Sequence, residues 1–134
     1  MKPTLIQVKD VMKMKVDFVD GMKTVQEALL EMNHIETKTL IVKKRHENDE
    51  WGVVVVSDIA RKVLAKDRSV DRTNVYEIMT KPAVTVHKNM DIRYCARLFE
   101  KLGLSRAPVV EHGKIIGIIS YTDMVLKGLC KVIV

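Results

Sequence analysis

A chain of 134 residues that is 47% hydrophobic and 30% charged has the composition of one ordinary globular domain, or of two very small ones sharing a core, and not that of a disordered chain. Its formal charge of +6 suits either a dispersed basic surface or a surface that attracts phosphate, while an aromatic content of 4% leaves few stacking platforms and disfavours nucleic acid. The longest apolar runs are too short to cross a bilayer, the opening MKPTLIQVKD lacks a signal-peptide core, and two cysteines fit reduced thiols, so the chain reads as cytoplasmic with no membrane partner.

The first phrase with structure is VKDVM (Val8 to Met12), followed by a helical pattern in which Val25, Ala28, Leu29 and Met32 share one face. Thr24 with Glu27 reads as its capping box. Two β-branched runs come next, TLIVKK (Thr39 to Lys44) and WGVVVV (Trp51 to Val56), joined by the long polar turn RHENDE. A helix is predicted from Ser57 to Lys66, and DRSVDRTN (residues 67–74) reads as a polar linker.

The chain then repeats itself. VYEIM (Val75 to Met79) returns 67 residues after VKDVM, and Ile92, Cys95, Ala96 and Phe99 repeat the helix face behind an Asp91 N-cap. APVVE and KIIGIIS, joined by the short turn EHGK, form a second hairpin, and a second closing helix is predicted from Thr122 to Gly128. The final LCKVIV is open between an edge strand and a cover for a dimer contact. Units over residues 8–66 and 75–128 are each too small to be stable alone, so two β-α-β-β-α units should pack through their sheets into one α/β (α+β) body with pseudo-twofold symmetry.

Each unit closes on a related phrase, GVVVVSD (Gly52 to Asp58) and GIISYTD (Gly117 to Asp123). A carboxylate can accept two hydroxyl donors at once as charge-assisted hydrogen bonds, and a strand-to-helix junction holds such a group on rigid elements. Taken singly, Asp123 also fits a first-turn helix residue, and Arg106, Arg61 and Lys38 also fit solvated surface charges. Cys95 falls on an apolar helix face and reads as core; the four histidines lack metal-ligand spacing; no nucleophile–base set, Walker A loop or G-x-S-x-G elbow appears, so the chain does not read as an enzyme.

With VKDVM/VYEIM, VTVHKNMDI, SRAPVVEHGKIIGIIS and the closing YTD in place, the chain resembles a tandem pair of CBS domains, a Bateman module, from about Val8 to Gly128. The second half matches the pattern closely, whereas the first has TKTLIV where SRAPVV stands. The resemblance implies a regulatory module, with no required cofactor, that binds an adenosine-containing ligand (AMP, ADP, ATP or an S-adenosyl compound) in the cleft between units and changes conformation or oligomeric state. It also implies a homodimer and an effector protein yet to be identified. Onto this sequence it carries Ser120 and Asp123 for the ribose, Thr85 with the backbone of Ala83 and Val84 beside the base, Arg106 facing the phosphate, and Ala107 and Pro108 as further ligand-site residues. Lys38 is set as the counterpart of Arg106, with Arg61 within reach of a phosphate, and Asp58 marks a weaker first site because Val55 stands where a hydroxyl belongs. The rival readings are a structural or interaction module with empty clefts and, behind it, a nucleic-acid-binding protein.

Overall fold

The computed structural model describes residues 5–133; residues 1–4 of the opening phrase and Val134 of the closing one lie outside it. Its compact units are cut differently from the sequence repeats. Val16–Ala83 forms one, the continuous unit, and residues up to Lys15 join those from Val84 onward in the other, the split unit. The opening turns are therefore exchanged. Helix α1 (Val8–Val11) bonds into the split unit, Val8 and Lys9 donating to the carbonyls of Met90 and Lys88 at 2.8 Å. The matching turn Val75–Glu77 bonds into the continuous unit, where Val75 and Tyr76 donate to Lys23 and Gly21 at 2.9 and 3.0 Å.

Each unit is a three-stranded sheet. In the continuous unit β1 (Asp17–Val19) runs parallel to β2 (Thr39–Val42), which is antiparallel to β3 (Gly52–Val55). In the split unit β4 (Val86–His87), β5 (Arg106–Glu111) and β6 (Lys114–Ser120) repeat the order. The central β2 is buried at every residue, as expected of a β-branched strand covered on both faces. The EHGK turn has positive φ at both His112 (51°) and Gly113 (76°), the geometry of a two-residue hairpin.

The exchange explains the glycine of each repeated phrase. Lys13 exchanges two backbone hydrogen bonds of 2.9 Å with Ile118, and Thr80 does the same with Val53, so the exchanged segments cover the edges of β6 and β3. A Cβ on Gly117 would lie 2.6 Å from the Lys13 carbonyl oxygen, and one on Gly52 would lie 3.0 Å from the Met79 sulfur. Each glycine lets a neighbouring segment cross closely.

Helices α2 (Val25–Glu31) and α4 (Ile92–Leu102) begin at their predicted caps. Thr24 and Glu27 exchange bonds of 3.0 and 3.1 Å, and Asp91 accepts the Arg93 N–H at 2.8 Å. Phe99 and Cys95 are fully buried on α4, and burial pushes the Cys95 thiol up to about 11. On α2, Val25 and Ala28 are buried and Met32 packs against the same core, but Leu29 is 39% exposed, so the predicted apolar face is covered at three of its four residues. The polar stretch 67–74 is more than a tether, because the Thr73 and Val70 carbonyls accept the first-turn N–H groups of Val25 and Gln26 at 2.8 and 3.0 Å.

The closing helices begin one residue before the predicted Ser57 and Thr122. Helix α3 (Val56–Ile59) has Val55 at its N-cap and α5 (Tyr121–Asp123) has Ser120, because the strand stays extended through that residue. Both continue as wider π-turns, Ala60–Leu64 and Met124–Leu129. The terminal run is helical rather than an edge strand, α6 spanning Cys130–Ile133.

Candidate functional site

The strand-to-helix junction of the split unit gathers five polar side chains. Arg106 lies directly across the ladder from Ser120, at the open end of the hairpin, and Asp123 follows in the first turn of α5. The Ser120 hydroxyl accepts the Asp123 N–H at 3.2 Å and donates to Asp123 Oδ2 at 2.9 Å. Lys13 Nζ donates to Asp123 Oδ1 at 2.7 Å, and Lys127 Nζ lies 3.4 Å from the same oxygen. Ser120 and Asp123 are both 2% exposed. Burial alone would push the Asp123 carboxyl up; the hydrogen bonds from Lys13 and Ser120, with the two ammonium charges, outweigh it and hold the carboxyl below its ordinary value. Burial lowers the Arg106 guanidinium from its usual value, against the opposing pull of Asp123.

Lys13 is the residue that sequence reasoning missed. Its distance from Asp123 along the chain hides it, and only the exchange of opening segments brings the two together. The one available signal was the residue after each repeated phrase, Lys13 in one half and Thr80 in the other.

The remaining expected residues are distributed as follows. Thr85 is half-buried and Val84 exposed, just before β4. Ala83 belongs to the continuous unit, where its N–H donates to the Trp51 carbonyl at 2.8 Å. Ala107 and Pro108 are buried in β5 opposite Ile119 and Ile118.

In the continuous unit the same junction is built from different chemistry. Asp58, 8% exposed, accepts the Val55 N–H at 3.3 Å and pairs with Arg61, whose side chain is 70% exposed. The register corrects the pairing of Lys38 with Arg106. Thr39 faces Val55 as Arg106 faces Ser120, and the Lys38 carbonyl accepts from Val56 as the Ser105 carbonyl accepts from Tyr121, each at 3.0 Å. The true counterpart of Arg106 is Thr39, a buried residue whose hydroxyl donates to the Thr37 carbonyl at 2.9 Å. Lys38 is exposed, with a left-handed φ of 55°. Aligning by likeness of residues slipped the strand by one position, because no charged residue stands at this place in the first half. Among the described residues no three His, Cys, Asp or Glu side chains gather as a metal set, and no helix is long and apolar enough to cross a membrane.

This fold and these junctions place the protein among known structures. The family model for the CBS domain matches residues 75–128. A hexameric CBS-CP12 protein from bloom-forming cyanobacteria is 37% identical, covers 92% of this chain, is covered over 72% of its own length and superposes with a TM-score of 0.87. An uncharacterized protein of Methanopyrus kandleri is 31% identical over 81 residues, 59% of this chain and 41% of the relative. A CBS domain pair solved in complex with 5′-methylthioadenosine and S-adenosyl-L-methionine is alike in fold, with 23% identity, a TM-score of 0.77, and coverage of 96% of this chain and 99% of that one. The chain belongs to the CBS domain family. It spans 41%, 20% and 10% of the length of the first curated relatives it matches, from Methanopyrus kandleri and Methanocaldococcus jannaschii.

Proposed function

We propose that this chain is a regulatory module that binds an adenosine-containing ligand at the Arg106–Ser120–Asp123 junction. The observation that carries the reading is the buried, ionised Asp123 held at a strand-to-helix turn with Arg106 across the ladder. A carboxylate offers about four acceptor positions, of which Ser120 takes one on Oδ2 while Lys13 and Lys127 crowd Oδ1. A ribose diol that claims Asp123 therefore displaces an ammonium, and the released Lys13, with Arg106, supplies positive charge for a phosphate. The Asp58 junction supports the ligand less well, since its carboxylate has no hydroxyl beside it at Val55 and no cation across the ladder.

Exposed apolar residues on the helices supply surfaces for self-association, Leu30 (80%) and Leu64 (77%) in the continuous unit and Leu126 (63%) in the split one. Ligand-dependent change in such an assembly is how the module would report occupancy.

The test is a thermal-shift panel of AMP, ADP, ATP and S-adenosyl-L-methionine on the intact chain, since bound ligand raises stability by mass action. Asp123→Asn should lower affinity for the best ligand by about one to two decades, the value of a charge-assisted hydrogen bond. Asp58→Asn should change it far less. A ligand-induced shift that survives Asp123→Asn would show that the carboxylate only starts a helix.

A further inference from the structure

The continuous unit holds a cavity of about 350 Å³ that the nucleotide reading does not use. Gly21, Val42, Tyr76 and Met79 line its apolar part, and Lys43, Arg45 and Lys81 stand around it with one carboxylate, Asp20. It lies at the hairpin end of the sheet, where Val42 pairs with Gly52, whereas Asp58 follows the Thr39–Val55 pair at the other end, three strand steps or about 10 Å away.

The split unit explains why the cavity exists. The backbone there is the same, Lys9 donating to the Lys88 carbonyl as Tyr76 donates to that of Gly21. Lys88 thus occupies the place of Gly21, and its ammonium pairs with Glu111 over the corresponding end of the sheet. Gly21 carries nothing to fill that space, and even a Cβ added there would lie 3.2 Å from Val42 Cγ1 and 3.6 Å from Tyr76 Cβ.

The charges around the cavity are set in place. Asp49 Oδ2 accepts the Lys81 ammonium at 2.7 Å and the Arg45 N–H at 2.8 Å, which fixes both residues. Asp20 Oδ1 accepts the Met22 N–H at 2.9 Å and closes the turn behind Gly21. The side chains of Lys43 and Arg45 have no ion-pair partner among the described residues. Three cations, Lys43, Arg45 and Lys81, stand against the two carboxylates of Asp20 and Asp49, an excess of one positive charge beside an apolar wall. A volume near the lower end for ligand pockets restricts the occupant to a small molecule.

We propose that this cavity binds a small organic monoanion, an apolar body bearing one carboxylate. The body rests on Val42, Met79 and Tyr76, and the carboxylate meets Arg45, whose planar fork suits it, with Lys43 beside it. The site stands independently of the nucleotide reading.

The experiment is an NMR titration of the isotope-labelled full chain with 2-naphthoate, with the neutral 2-naphthalenemethanol as control. Saturating shifts are expected at the amides of Gly21, Met22, Lys43 and Arg45, with binding about tenfold or more tighter than for the alcohol, as a charge-assisted contact requires. The double variant Lys43→Glu, Arg45→Glu changes two exposed residues, keeps the fold, and should lose at least that factor. Gly21→Lys, which installs the split unit's residue, should close the cavity and abolish the same shifts. Asp123→Asn should leave naphthoate binding unchanged whether or not nucleotide binds. Shifts that never saturate, an alcohol that binds as tightly, an unaffected double variant, or loss of naphthoate binding in Asp123→Asn would each overturn the proposal.

Discussion

Asp58 and Asp123 occupy the same position in two copies of one fold, each in the first turn of a helix that follows the third strand of its sheet. Around Asp123 the polar groups turn inward: Ser120 caps the helix, and Lys13 reaches the buried carboxylate from a segment more than a hundred residues earlier in the chain. Around Asp58 they turn outward, with a valine at the cap and an arginine one turn along whose side chain is mostly in water. At the hairpin ends the contrast reverses. Lys88 and Glu111 close the split unit, while Gly21 leaves the continuous unit open between cations. One backbone thus carries different side chains at its two ends, and the two proposals assign a ligand to opposite ends of the two copies. The glycines of the repeated phrases belong to the shared part, since both are needed wherever an exchanged segment crosses its sheet.

The largest effect that sharpens this contrast comes from the two ion pairs. Lys13→Met leaves a carboxylate that is 3% exposed with Lys127 as its remaining ammonium partner, and should lower unfolding free energy by about 3 kcal/mol. Arg61→Ala removes a partner that is already largely solvated and should cost less than about 1 kcal/mol. Urea denaturation of both variants decides the matter, and equal losses would mean that the two junctions are energetically alike.

The helix caps come next. Ser120→Val should cost about 1–2 kcal/mol, because the Asp123 N–H loses its acceptor. Val55→Ser places a hydroxyl at the cap that lacks one and should raise stability by about 0.5–1 kcal/mol. Melting curves check both signs, and a destabilising Val55→Ser would show that the valine packs better than it caps.

The smallest effect is one of pH. The Asp123 carboxyl is held below its ordinary value of about 4, so its contribution is present above that pH and fades as pH falls through the folded-state value. Wild type should therefore lose stability below about pH 4 more steeply than Asp123→Asn. Parallel acid titrations of urea midpoints test this, and superimposable curves would remove Asp123 from the acid response.

Local signals in the chain were enough for the elements that rest on neighbouring residues. Thr24 with Glu27, Asp91, the EHGK turn and the β-branched runs act through contacts a few residues apart, and the β6 strand runs from Lys114 to Ser120 as the pattern indicates. The starts of the two closing helices and the Lys38 alignment differ from the sequence reading by one residue, because periodicity reports a face and not the residue at which an extended strand turns. Composition and repeat alone determined a doubled α/β unit ending twice on a carboxylate. Tertiary structure alone decided that the opening turns change places, that Lys13 therefore meets Asp123, and that Gly21 opens a cationic cavity. These depend on which sheet edge a distant segment satisfies, and a hydrogen-bonding edge is the same in both copies, so residue spacing carries no mark of the choice.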